Sequence, residues 1–123
     1  MSNLKIPEQA PLEVKVANAI KWLDELATTE LPQGQGRLGS IREGFCCLGV
    51  GCKLLELHYI SSHGDDAEFN ELAGIARTGF FIEQNDEKGF SFAEIAEEAI
   101  RNPRVSFELD VAEELAKHYK TNT

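Results

Sequence analysis

FCCLGVGCKLLEL, Phe45 to Leu57, is the stretch that decides how this chain folds. At about 100° per residue, Phe45, Cys46, Cys47, Leu48, Val50, Cys52, Leu54, Leu55 and Leu57 cover most of a helix circumference. Gly49, Lys53 and Glu56 share the narrow strip that remains. A helix of that kind is buried on most sides. Gly49 and Gly51 each cost about 1 kcal/mol of helix stability relative to alanine, a loss that calls for close approach of another backbone. The rest of the chain must supply the elements that surround this helix.

Upstream, Leu12 to Ala27 places Val16, Ile20, Leu23 and Ala27 at helical spacing, with Ala19 and Leu26 alongside, and so predicts an amphipathic helix. Trp22 lies next to that stripe and reads as a core anchor. Thr28, Thr29 and Pro32 end the helix. Between the two helices runs QGQGRLGSIREG, residues 33–44, a glycine-rich loop with a short extended piece around Leu38. It contains a literal GxGxxG at Gly34, Gly36 and Gly39. A dinucleotide fingerprint needs a strand before the glycines and a helix directly after them, because the helix N-terminus binds the pyrophosphate. Here a helix precedes and the next one starts late, so the motif reads as a loop.

Downstream, His58 to Ser62 reads as a short strand, and Asp66 to Leu72 as a short helix with Ala67, Phe69 and Leu72 inward, stopped at Gly74. Phe80, Phe81 and Ile82 read as a second strand, followed by a turn from Asn85 to Gly89. Ser91 with Glu94 fits a capping box, opening a helix whose inward face is Phe92, Ile95, Ala96 and Ala99. Asn102 and Pro103 stop it. A last helix, about Phe107 to Tyr119, presents Val111, Leu115 and His118 with Ala112, Ala116 and Tyr119. The expected fold is α+β: one mostly helical domain over residues 1–123, with about four helices, a small antiparallel strand pair, a loose start to residue 11 and a frayed tail from 120.

Composition agrees with a folded domain. Apolar residues make up 42% of the 123 and charged residues 27%, far from disordered compositions. The longest apolar stretch is the opening motif itself, interrupted by Lys53 and Glu56, so neither a secretion signal nor a membrane span is expected. The three cysteines are odd in number and two are adjacent, so all three read as thiols. Net charge is −9, and it is uneven: residues 1–63 carry 6 basic and 7 acidic side chains, residues 64–123 carry 6 and 14. A field of that sign disfavours direct nucleic-acid binding and suits a basic protein partner or mimicry of DNA.

Three places carry candidate chemistry. Cys46, Cys47 and Cys52 with His58 and His63 are enough ligands for zinc, but on one helix the cysteines point at about 0°, 100° and 240°, so no single ion touches all three; no metal and no cofactor are assigned. Cys46 or Cys47 at a helix N-terminus has the place of a nucleophile, with His58, His63 or His118 as base and Asn85 or Asp86 as orienter. Finally, Arg37 and Arg42, the only arginines in the N-terminal half, stand among glycine N–H groups that cradle anions. The assigned ligand-binding residues are Arg37, Arg42, Gly36, Gly39 and Cys46, and no catalytic residue is assigned.

The run FCCLGVGCKLL, Phe45 to Leu55, resembles the signature of a family of small proteins encoded by bacteriophages and prophages, with a consensus near FCCLGVLCDL. Other features agree in order: Trp22 in a first helix, the Gln/Gly-rich QGQGRL, and EQNDEKGFSFAEIA from Glu83 to Ala96. The chain departs at Gly51 and Lys53, where the family pattern has a large apolar and an acidic residue. The resemblance implies phage origin and the host bacterial cytoplasm, and brings no activity with it. The function expected is that of a non-enzymatic accessory protein engaging a host protein or sequestering a small anionic ligand. The alternatives are a cysteine-nucleophile enzyme using Cys46 or Cys47, and an acidic DNA mimic.

Overall fold

The computed structural model describes residues 10–30, 33, 39–40, 44–45, 47–55 and 67–120. Six α-helices account for most of them: α1 (Leu12–Thr28), α2 (Cys47–Leu54), α3 (Ala67–Ala73), α4 (Thr78–Ile82), α5 (Phe92–Arg101) and α6 (Leu109–Tyr119). Helix α4 runs directly into a π-helical turn, Glu83–Glu87, and a 3₁₀ turn, Pro103–Val105, joins α5 to α6. The hub is α1, which packs against α2, α3, α5 and α6. Its residues Ala19, Trp22, Leu23 and Leu26 are buried at helical spacing, as an amphipathic stripe requires.

Four aromatic side chains fill the centre. The Trp22 indole is wholly buried and meets Phe69 and Phe81 edge-on at 5.0 and 4.8 Å between centroids, with Phe107 at 6.4 Å. Edge-to-face contact sets the positive rim of one ring against the negative face of another. The indole N–H also donates to the Cys47 carbonyl at 2.9 Å, so the one polar atom of the anchor is satisfied inside the core.

The expected α+β class is corrected to a helical fold. Phe80, Phe81 and Ile82, read as a strand, belong to α4. A short apolar run has no period to separate strand from buried helix; docking decides. Asn70 donates to the Thr78 hydroxyl at 2.7 Å at the start of α4, and Phe81 turns into the core while Phe80 packs edge-on against it at 5.0 Å. The other predicted strand, His58 to Ser62, lies outside the described residues. Extended pairing between described residues includes Gly39–Ser40 against Gly44–Phe45 and a bridge between Ile75 and Phe107. The former is a two-residue hairpin ladder in the glycine loop, too short to form a layer of the fold.

The opening motif is helical over a shorter span than its periodicity suggests. Phe45 is committed to the hairpin ladder opposite Gly39, so α2 starts only at Cys47. Residues Cys47 to Cys52 are all buried, as the all-round apolar pattern predicts. Gly51 is explained by a ring rather than by a backbone: a Cβ placed there would fall on the edge of Phe69, closer than any real contact. Gly74, expected as a helix stop, ends α3 at φ +69°, and a Cβ there would also stand 2.6 Å from Val111 Cγ2. Ser91 and Glu94 form the predicted capping box, with reciprocal hydrogen bonds of 3.1 and 2.9 Å. His118, placed on the inward face of the last helix by spacing, is exposed, because the buried face of α6 is Val111, Ala112, Leu115 and Ala116.

Candidate functional site

The thiols come first, because the sequence singles them out. Cys47 occupies the first turn of α2 but has no exposed surface, and its Sγ–H donates to the Phe81 carbonyl at 3.6 Å. That hydrogen bond exists only for the protonated thiol, and no substrate reaches the sulfur without opening the core. Cys52 is equally buried, and neither cysteine is in a disulfide. Both therefore serve as small apolar core groups. Cys46, His58 and His63 lie outside the described residues. His118 stands on the surface edge-on to Tyr119 at 4.7 Å. Among the described residues no three His, Cys, Asp or Glu side chains converge on a point that would hold a metal ion.

Of the anion-loop residues, Arg37, Arg42 and Gly36 also lie outside the described residues, and Gly39 sits in the hairpin ladder facing Phe45. The entrance of the loop is anchored at Gln33. Its side-chain N–H₂ donates to Asn85 Oδ1 at 2.9 Å and to the Phe90 carbonyl at 2.7 Å. Asn85 is wholly buried and donates in turn to Asp86 at 2.7 Å. Asn85 and Asp86, named above as orienters for a catalytic histidine, here tie the glycine loop to the π-helical turn. Gln33, the first residue of QGQGRL, thus meets Asn85 and Phe90 of EQNDEKGF, another segment that carries the family resemblance.

The structure adds a surface feature that the sequence did not single out. Helices α1 and α6 run side by side in the same direction: Lys15 Nζ lies 2.9 Å from Glu108 Oε1 at one end, and the Tyr119 hydroxyl donates to Asp24 Oδ1 at 2.7 Å at the other. Alongside these cross-links lies a groove of about 370 Å³ lined by Leu12, Val16, Ala17 and Ile20 with Glu13 and Glu114. Val16 and Ile20, read as core positions, are only half-buried, and Leu12 is 39% exposed. The signal was present in the sequence: the apolar stripe of α1 is wider than its packed neighbours cover.

Both cross-links hold the groove walls in place. The hydrogen bond to Glu108 raises the Lys15 ammonium above its usual range against the opposing effect of burial, and Glu71, 3.6 Å away, adds to the rise. Burial, and then the hydrogen bond to Asp24, push the Tyr119 phenol well above its usual range. Lys15 therefore stays charged and Tyr119 neutral at any physiological pH.

Elsewhere on α5 and α6, part of the acidity of the second half is used internally. Glu97 and Glu98 pair with Arg101, Glu113 with Arg104 and Glu114 with Lys117. These pairs are exposed, and such pairs contribute about 1 kcal/mol at most, so a partner's cation competes for them readily. A second groove, about 420 Å³, lies between the end of α1 and α5, lined by Ala27, Ala93, Ala96, Glu97, Ile100 and Arg101. Ala27, read as core, is exposed there. No helix among the described residues is long and apolar enough to cross a membrane. No protein-family model, curated protein or solved structure matches this chain, so the likeness to phage-encoded proteins rests on the quoted motifs alone.

Proposed function

We propose that this chain is a non-catalytic binding protein that seats a basic, amphipathic segment of a partner protein in the groove between α1 and α6. The observation that carries this reading is an apolar floor of Leu12, Val16, Ala17 and Ile20 edged by two carboxylates, Glu13 and Glu114, on a chain of net charge −9. An amphipathic helix that lays its apolar face into such a groove gains about 25 cal/mol per Å² of apolar surface buried. Lysines or arginines flanking that face meet the two glutamates, and the field of the whole chain speeds their encounter. A small anion is repelled by the same carboxylates. In keeping with the FCCLGV-type signature, the partner is taken to be a host-cell protein.

The test compares capture from bacterial lysate by the native chain and by Ile20→Glu, followed by direct titration of the captured protein after purification. The expected result is one partner whose affinity falls at least tenfold with Ile20→Glu, about 1.4 kcal/mol or more, and falls further as salt is raised. Equal binding by both forms, or binding that strengthens with salt, counts against the groove.

A further inference from the structure

The charges along α1 and α6 are ordered, and the order sets the direction in which a partner lies in the groove between them. Where both helices begin, the exposed carboxylates Glu13 and Asp110 make no ion pair among the described residues. Asp110 accepts the Val111 N–H at 2.8 Å, and its charge reaches Lys15 on α1. Toward the other end the carboxylates are engaged: Glu114 pairs with Lys117 at 3.4 Å, and Asp24 accepts the Tyr119 hydroxyl at 2.7 Å. There Lys21, one turn past Ala17 on the helical row that begins at Glu13, adds an exposed ammonium. Resting on the groove assigned above, we propose that the partner's segment is a helix lying antiparallel to α1 and α6, with the lysines or arginines of its last turn at Glu13 and Asp110.

Two effects fix that direction. The first is side-chain charge. A cation of the partner finds unpaired carboxylates where α1 and α6 begin, and meets Lys21 and Lys117 at the far end. The second is the backbone, since a helix carries roughly half a positive charge at its N-terminus and half a negative one at its C-terminus. Because α1 and α6 run in the same direction, their positive ends lie together, and neither has a side-chain cap. A helix laid beside them is favoured when its negative end comes to that place.

The two effects agree because cations are themselves favoured in the last turn of a helix. That turn brings the partner's positive side chains and its negative backbone end to the same spot. The apolar lining runs from Leu12 to Ile20, about 12 Å along the axis at 1.5 Å per residue. About two turns of the partner rest on it, and its last turn comes level with Glu13. A parallel helix sets like dipole ends together and carries its cations to Lys21.

A synthetic amphipathic helix tests the direction, with leucines at i, i+4 spacing, glutamates in its first turn, lysines in its last and a nitroxide attached after the last lysine. Added to the isotope-labelled full chain, it should broaden the amide signals of Glu13 and Asp110 more than those of Lys21 and Lys117. The broadening should vanish with Ile20→Glu and weaken with Ala17→Gln, a substitution at an exposed lining position. Glu13→Gln combined with Asp110→Asn should weaken binding about fivefold, as expected of two exposed ion pairs, whereas Lys21→Gln should not weaken it. Broadening that is equal at both ends, or stronger at Lys21 and Lys117, and is lost with Ile20→Glu overturns the direction while leaving the groove. A peptide that does not bind, or that binds the native, Ile20→Glu and Ala17→Gln chains equally well, overturns the groove and the direction with it.

Discussion

The indole N–H of Trp22 donates to the main-chain carbonyl of Cys47 at 2.9 Å, and this bond joins the hub helix α1 to the first turn of α2. The same cysteine sends its thiol to the Phe81 carbonyl in α4. One residue thus gathers three helices, and its side chain is spent on structure. A buried carbonyl that loses its donor costs about 1–3 kcal/mol, so the pairing has thermodynamic weight as well as geometric precision.

Cys47 and Cys52 should react with iodoacetamide only when the protein unfolds. Mass spectrometry of the labelled native protein should find both sulfurs unmodified at neutral pH, and both modified in denaturant. Cys47→Ala should lower stability by about 1–2 kcal/mol through a small cavity and a lost weak hydrogen bond. Rapid labelling of Cys47 in the native state is the outcome that removes the core-thiol reading.

Gly51→Ala sets two effects against each other. Helix propensity favours alanine by about 1 kcal/mol, while the new methyl collides with the wholly buried Phe69 ring. Overpacking of a closed core costs about 1–3 kcal/mol, and a ring clamped against Trp22 cannot swing away. Net destabilisation is expected in urea unfolding, with an unchanged m-value. Adding Phe69→Leu should return part of the loss as a coupling energy of the opposite sign. A stabilised Gly51→Ala protein would show that the ring moves aside.

Tyr119 sets an alkaline limit on stability. Its folded-state pKa is raised above the unfolded value of 10.0 by burial and by its hydrogen bond to Asp24. Its contribution is therefore fully present below that value. It is lost as pH climbs higher, because the unfolded chain gives up the phenolic proton first. Lys15, raised from 10.5, acts in the same direction: its charged form is favoured by folding, and that contribution also fades at alkaline pH. Tyr119→Phe should be less stable than the native protein near neutrality. The gap should narrow as pH rises past about 10. A gap that is constant between neutral and alkaline pH would mean that the hydroxyl does not bond Asp24 in solution.

Much of the helical framework was legible because its signals are local. The capping box at Ser91 and Glu94, the stop at Gly74 and the Asn102–Pro103 boundary each depend on residues within one turn of one another. Trp22 was legible as an anchor because its place beside the stripe of α1 is a matter of angle alone. The Phe80–Ile82 helix was not, since three consecutive apolar residues fit a strand and a buried helix equally well, and Asn70 and the aromatic cluster made the choice from outside the segment.

By itself the sequence determined that the helix within Phe45–Leu57 would be buried on most sides, as Cys47–Cys52 are, that α1, α5 and α6 would be amphipathic, and that the second half would be acidic. These follow from residue type and spacing, which no neighbour alters. Only the tertiary structure decided that Gly51 answers to the Phe69 ring, that Gln33 ties the glycine loop to Asn85, that Val16 and Ile20 pack on the core yet also line a groove, and that Ala27 is exposed in another. The physical reason is the same for each. Periodicity shows which face of a helix is apolar, but how much of that face is covered depends on the width, direction and side-chain size of the helices that pack beside it.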